Sequence, residues 1–227
     1  MVTPLLSTVD FDHGGRWTSL RRGSREWLWH RPDPLRNRVR PGQAFVDAGG
    51  LEECIPTVRG TPDHGDAWSR PWSPSGVVET PDFRLSRRIT HADGAVVADY
   101  SLTAEPGWRF IWAAHALLDL AVGARLLGAA SLTFGPDDGT AVGLILDCPS
   151  VSIVDGDDRL SFRLEADGQP VSTAVWRNLG GFPEPHPYRS IGVEPMLGKV
   201  FDLQEAGPQD AAVVPASGEC SWRLTLY

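Results

Sequence analysis

The chain has 227 residues, 41% apolar and 22% charged, enough for a substantial core and within the ordinary range for a soluble globular protein. Its formal charge of −8 argues against a phosphate-backbone partner, because nucleic-acid binding rests on clustered cations. Cys54, Cys148 and Cys220 are odd in number and far apart, with no CxxC pair and no histidine at zinc-ligand spacing, so they read as buried thiols in a reducing cytoplasm.

The opening MVTPLLSTVDFDHGG has neither the basic leader nor the long apolar run of a signal peptide. RWTSLRR (Arg16 to Arg22) and REWLWH (Arg25 to His30) flank a Gly23-Ser24 turn, as the arms of a hairpin do. The basic run from Arg16 to Arg40 includes Trp17, Trp27 and Trp29. It reads as arginines on the wet face of strands rather than as an RNA-reading surface. FRLSRRITH (Phe83 to His91) alternates apolar and polar, turns at Asp93-Gly94, and continues as AVVADYSLTAE (Ala95 to Glu105), a strong hairpin signal. Pro106-Gly107 precedes another strand, Trp108 to His115. Further strands are expected at Ala129 to Phe134, Ala141 to Leu146, Ser150 to Val154, Arg159 to Glu165, Val171 to Trp176 and Cys220 to Tyr227.

Short strands punctuated by Asp-Gly and Pro-Gly predict an all-β fold, a large antiparallel sandwich with few or no helices. No linker or internal repeat divides residues 1–227, so a single domain is expected. Ala114 to Ala130 resists this pattern, with Leu and Ala at helical spacing and a weak point at Gly123. The most apolar stretch, Ile111 to Leu132, is interrupted by His115, Asp119 and Arg125, which makes it a poor membrane span.

Two segments read as irregular, Gly49 to Trp72 and Trp176 to Glu194. Both mix aromatics with arginine and acids. Long irregular segments in a compact domain are usually functional, and this mixture suits a sugar: ring faces lie on aromatics while hydroxyls need fixed donors and acceptors. A pair of packed loops pinned by burial is the competing interpretation.

GGRWTSLRRGSREWLW, PDHGDAWSRPW, WAAHALL and IGVEPMLG stand in the order and rough spacing of motifs in the galactose mutarotase-like (aldose 1-epimerase) family, which most of the chain resembles. The resemblance implies a large antiparallel sandwich and makes Ala114 to Ala130 a strand, a turn near Gly123 and another strand. It implies an enzyme that interconverts the anomers of a free hexose without a metal or organic cofactor. Glu194 would be the base, His115 the acid at the ring oxygen, and His64 a partner that polarises and orients. Arg70, Trp176, Trp112 and Trp72 are candidate substrate contacts, and Trp68 is expected beside them. The base and acid are expected on different sides of one sugar. The chain is shorter than typical members, which implies missing loops or edge strands, and Asp119, Asp147 and Asp155 are available for a further sugar contact. Arg59 and Arg70 could grip a phosphate, so a hexose 6-phosphate is an alternative substrate. A non-catalytic carbohydrate-binding protein of the same fold is the alternative from another class. The expected partner is a monosaccharide, with neither nucleic acid nor membrane, for a cytoplasmic monomer or homodimer.

Overall fold

The computed structural model describes residues 3–227. In chain order the strands are β1 (Leu5–Asp10), β2 (Arg16–Arg22), β3 (Arg25–Glu26), β4 (Leu51–Cys54), β5 (Val77–Glu79), β6 (Phe83–Ala92), β7 (Ala95–Ala104), β8 (Arg109–Phe110) and β9 (Trp112–Leu118). They continue as β10 (Arg125–Leu127), β11 (Ser131–Thr133), β12 (Thr140–Leu146), β13 (Ser150–Asp155), β14 (Asp158–Glu165), β15 (Val171–Phe182), β16 (Tyr188–Leu197), β17 (Ala212–Val213) and β18 (Glu219–Leu226). One antiparallel sheet runs β1-β2-β4-β9-β16-β15-β12, with β3 attached to β2. The other runs β11-β10-β13-β14-β18-β7-β6-β5, and β8 pairs with β17 in a small ribbon. Among the described residues the only helical turns are two short 3₁₀ segments, Arg36–Arg38 and Leu203–Glu205. The fold is the expected all-β sandwich.

Local chemistry explains the elements that read clearly. Asp93 and Gly94 both take positive φ, 52° and 81°, the conformation a two-residue hairpin needs between right-twisted strands. On β7, Val96, Ala98, Tyr100 and Leu102 point inward and their neighbours outward, so the strand's alternation matches a half-buried surface. The inward faces of both sheets close over a core that includes Leu20, Leu51, Trp112, Leu118, Phe162, Val193 and Leu224.

Strand β9 shows why one segment imitated a helix. All seven of its residues are buried, because both faces of this central strand are covered. Trp112, Ala114, Ala116 and Leu118 belong to the sandwich core, whereas Ala113 joins a second cluster with Cys54, Ala174 and Met196. A strand covered on both sides shows no alternation, and its alanines mimic helical composition. Gly123 lies in the following turn at φ 95°, as the resemblance implied.

Both irregular segments need correction. Gly49 to Trp72 contains β4, whose residues Leu51, Glu52, Glu53 and Cys54 are all buried. Trp176 to Glu194 is largely the paired halves of β15 and β16, with only residues 183–187 between the strands. Arg36 departs from the wet-face expectation for the basic run. It is 1% exposed and donates through Nε and Nη2 to the two oxygens of Glu52 at 2.9 and 2.8 Å.

Adjacent Glu53 points the other way, into the sandwich. It accepts from Arg87, from Tyr100 Oη at 2.9 Å and from Trp112 Nε1 at 2.8 Å, joining the two sheets through a desolvated charge. The Arg87 guanidinium lies over Trp72, 4.7 Å from the ring centroid. Glu53→Ala removes the acceptor of three buried donors at once. Breaking a buried pair from one side costs about 3–5 kcal/mol, so thermal denaturation should show a midpoint lowered by about 10 °C in a chain of this size. An unchanged midpoint would contradict this role.

Candidate functional site

Pairing between β4, β9 and β16 assembles the site on the outer face of the first sheet. Glu52 of β4 stands opposite His115 of β9. On the other side, Gly192 pairs with Leu117 and Met196 with Ala113, leaving Glu194 between them beside His115. The ladder is interrupted from Val193 to Pro195, where proline supplies no N–H. His115 Nε2 comes within 3.7 Å of Glu194 Oε1. Gly192 makes that arrangement possible, since a Cβ there would lie 2.5 Å from Glu194 Oε1.

His64 arrives from a turn rather than a strand. Its backbone is left-handed, φ 59°, and Gly65 follows so closely on Ile55 that a Cβ would meet the Ile55 carbonyl oxygen at 2.0 Å. Phe45 stacks on the His64 ring with centroids 3.6 Å apart and planes 9° from parallel. His64 in turn meets His115 edge-on at 5.0 Å. The three residues expected to form the catalytic group, Glu194, His115 and His64, thus surround one space.

That space is a cavity of about 600 Å³, within the size range of small-molecule sites. The aromatic side chains of Phe45, Trp176, Phe182, Tyr188 and Phe201 line it, together with Arg31, Arg59 and the carboxylates Asp33, Asp47, Asp63 and Glu194. Burial raises the Glu194 pKa above its ordinary value, against the downward pull of His115 and Arg59. Burial also lowers the His64 pKa, although the hydrogen bond to Asp63 opposes it. Two buried polar atoms of the site, Glu194 Oε2 and His115 Nδ1, have no hydrogen-bond partner. Buried polar groups normally are paired, so each of these atoms calls for a partner, a water or a bound molecule included.

Of the expected substrate contacts, Trp176 lines the cavity, held by an indole hydrogen bond to Ser190 Oγ at 3.2 Å. The other three do not. Trp112 points inward on β9 because even-numbered residues there face the core, and its Nε1–H is given to Glu53. Trp72 is buried beneath Arg87, with its Nε1–H donated to the Ala67 carbonyl. Arg70 lies outside the cavity lining, its guanidinium 3.8 Å from Asp66. Trp68 is a support rather than a wall: fully buried, it packs edge-on against Phe45 at 4.9 Å. Asp119, Asp147 and Asp155 are likewise absent from the lining, where Asp33, Asp47 and Asp63 stand.

Sequence reasoning missed the segment before β4, which contributes Arg31, Phe45 and Asp47. Its signal was the length of chain without hydrophobic periodicity, rich in proline and glycine, between β3 and β4. Tyr188, also missed, is stacked on Trp29 with centroids 5.4 Å apart and donates to Asp47 Oδ2 at 2.6 Å. Among the described residues, no group of three or more His, Cys, Asp or Glu side chains is arranged to hold a metal ion. Among the same residues, no helix is long and apolar enough to cross a membrane.

No family model matches the sequence, and no curated protein matches it. Solved structures do. The Slr1438 protein from Synechocystis sp. PCC 6803 superposes with a TM-score of 0.72 at 13% identity, covering 100% of this chain and 94% of its own. An Escherichia coli K12 protein provisionally designated an aldose 1-epimerase gives 0.68 at 15%, covering 99% and 95%. A galactose mutarotase-like protein from Lactobacillus casei ATCC 334 gives 0.61 at 14%, covering 100% and 97%. By fold, the chain is galactose mutarotase-like.

Proposed function

We propose that this chain is an aldose 1-epimerase-like isomerase that interconverts the α and β anomers of a free hexose. The supporting observation is the pair of unpartnered buried atoms, Glu194 Oε2 and His115 Nδ1, beside a cavity walled by aromatic rings. Leaving a buried polar group unpaired costs about 1–3 kcal/mol. A pyranose answers both parts of such a site, with hydroxyl donors and acceptors at its edge and an apolar ring face for Trp176.

Anomer exchange requires the anomeric hydroxyl to lose a proton while the ring oxygen gains one. In this reading Glu194 removes the hydroxyl proton, the bond between C1 and the ring oxygen breaks, and the His115 imidazolium protonates that oxygen. The aldehyde rotates about C1–C2, and the reverse steps close the ring on its other face. The two oxygens share one carbon, so an acid and a base 3.7 Å apart serve better than groups on opposite sides of the sugar. Ring opening turns a carboxylate–imidazolium pair into a neutral pair, a change that a water-poor site favours. Closure regenerates the starting charges. His64 orients the substrate through a hydroxyl.

A free sugar suits the cavity better than a phosphorylated one. Only Arg59 of the two arginines proposed for phosphate lies there, among four carboxylates. A dianion would meet more repulsion than attraction.

Saturation-transfer NMR on glucose, galactose and hexose 6-phosphates tests the proposal. Exchange above the buffer rate is expected with a free hexose, and Glu194→Gln should reduce it about 10²–10⁴-fold while sugar affinity changes little. Binding by both proteins with no exchange by either would identify a carbohydrate-binding module instead. A base must be deprotonated, so the raised Glu194 pKa places the acid limb of the rate profile above 4.5. The same shift makes Glu194 a liability to stability at high pH. Between its unfolded and folded pKa values the native state binds more protons, so stability falls as pH rises through the folded value. Glu194→Gln should therefore raise the melting temperature more at pH 8 than at pH 4, as calorimetry would show. Gly192→Ala should leave the sheet intact but push Glu194 away from His115. Its exchange rate should fall about as far as that of Glu194→Gln, and a rate equal to wild type would count against the geometry.

A further inference from the structure

Asp63 and His64 form an arrangement that the acid–base pair does not explain. His64 holds a left-handed backbone conformation, which a side-chain-bearing residue adopts only where its surroundings impose it. Its amide donates to the Val58 carbonyl at 3.2 Å. The Asp63 carbonyl accepts the indole Nε1–H of buried Trp68 at 3.1 Å, fixing the backbone just before the turn. The Asp63 side chain is about half exposed, yet its Oδ1 lies 2.9 Å from His64 Nδ1. Phe45 covers one face of the imidazole and His115 abuts it edge-on. The ring is held from several sides, and one of its nitrogens is engaged by a carboxylate.

We propose that Asp63 is a positioning residue: its carboxylate holds His64 as the Nδ1–H tautomer, so that Nε2 presents a lone pair to the cavity as the acceptor for a ligand hydroxyl. A carboxylate can only accept, so the proton must lie on Nδ1. A neutral imidazole has one N–H, which leaves Nε2 unprotonated. The charged and titratable groups acting on the ring are Asp63 from its own turn, Asp47 from the segment before β4 and His115 from β9. The two carboxylates favour a cation, but burial and His115 oppose it, and the balance favours the neutral ring. The hydroxyl as ligand group rests on the hexose reading above; the tautomer does not. The chemical consequence is selectivity for a substrate that donates at this position. A sugar lacking that hydroxyl, or carrying it as a methyl ether, would leave Nε2 desolvated and unpaired.

Heteronuclear NMR on the intact protein with ¹⁵N-labelled histidine tests the tautomer, with His64→Gln assigning the signals. Wild type should show a protonated Nδ1 and an unprotonated Nε2 at neutral pH. Asp63→Leu removes the acceptor with a side chain of similar size that neither donates nor accepts, and should shift His64 toward the Nε2–H tautomer. Anomer exchange should fall about 10–100-fold in the same variant, the range for losing one hydrogen bond to a charged group. Asp63→Glu, which restores a carboxylate, should recover part of it. A protonated Nε2 in wild type, or a tautomer unchanged by Asp63→Leu, would overturn the assignment whether or not the protein epimerises sugars. The Nδ1–H tautomer in a protein without anomer exchange would support the Asp63 role while removing the hexose reading.

Discussion

A carboxylate taken out of water has to be balanced by a nearby cation, by hydrogen bonds or by a proton, and Glu194 has one imidazole at 3.7 Å and an oxygen with no partner. Two other glutamates are buried as deeply in β4, on the far side of β9, and the contrast is informative. Glu52 is gripped at both oxygens by Arg36, and Glu53 takes donors from Arg87, Tyr100 and Trp112. Those two are closed structural pairs. Glu194 has no such set of donors, and it lines a cavity.

The sheet makes this difference possible. Successive residues on a strand face opposite ways, so β4 sends Glu53 into the sandwich and Glu52 to the outer face, while β9 sends Trp112 inward and His115 outward. The inner face forms the sandwich core, and the outer face carries the buried polar groups of the site. Chains that share this fold at 13–15% identity are consistent with that division, because an inner face asks only for apolar side chains of suitable size.

Legibility followed the same division. Half-buried strands such as β6, β7, β13 and β18 advertise themselves by alternation, and Asp93-Gly94 announces its turn. Strands buried on both faces do not: β9 resembles a helix because it has no exposed face to alternate with, and Ala113, Ala114 and Ala116 are good helix formers. β4 resembles a loop because its two glutamates look exposed until the arginines that neutralise them, remote in sequence, are in place. The imidazoles and the carboxylate were found through motif order. The tryptophans were misjudged for a physical reason, since Trp72 and Trp112 carry N–H groups that internal acceptors already satisfy. Arg31, Phe45, Asp47 and Tyr188 belong to segments without periodicity, and only the folded chain brings them to the cavity.

Glu194 is thus a desolvated carboxyl whose one charged neighbour within 4 Å is His115 and whose second oxygen has no hydrogen-bond partner. Carboxyl ¹³C NMR of the intact protein, titrated with and without a free hexose, measures this directly. The account predicts that Glu194 titrates above 4.5 in the free protein and that its resonance responds to the sugar while those of Glu52 and Glu53 stay fixed. A Glu194 carboxyl that titrates at or below the ordinary value, or ignores every hexose tested, would contradict it.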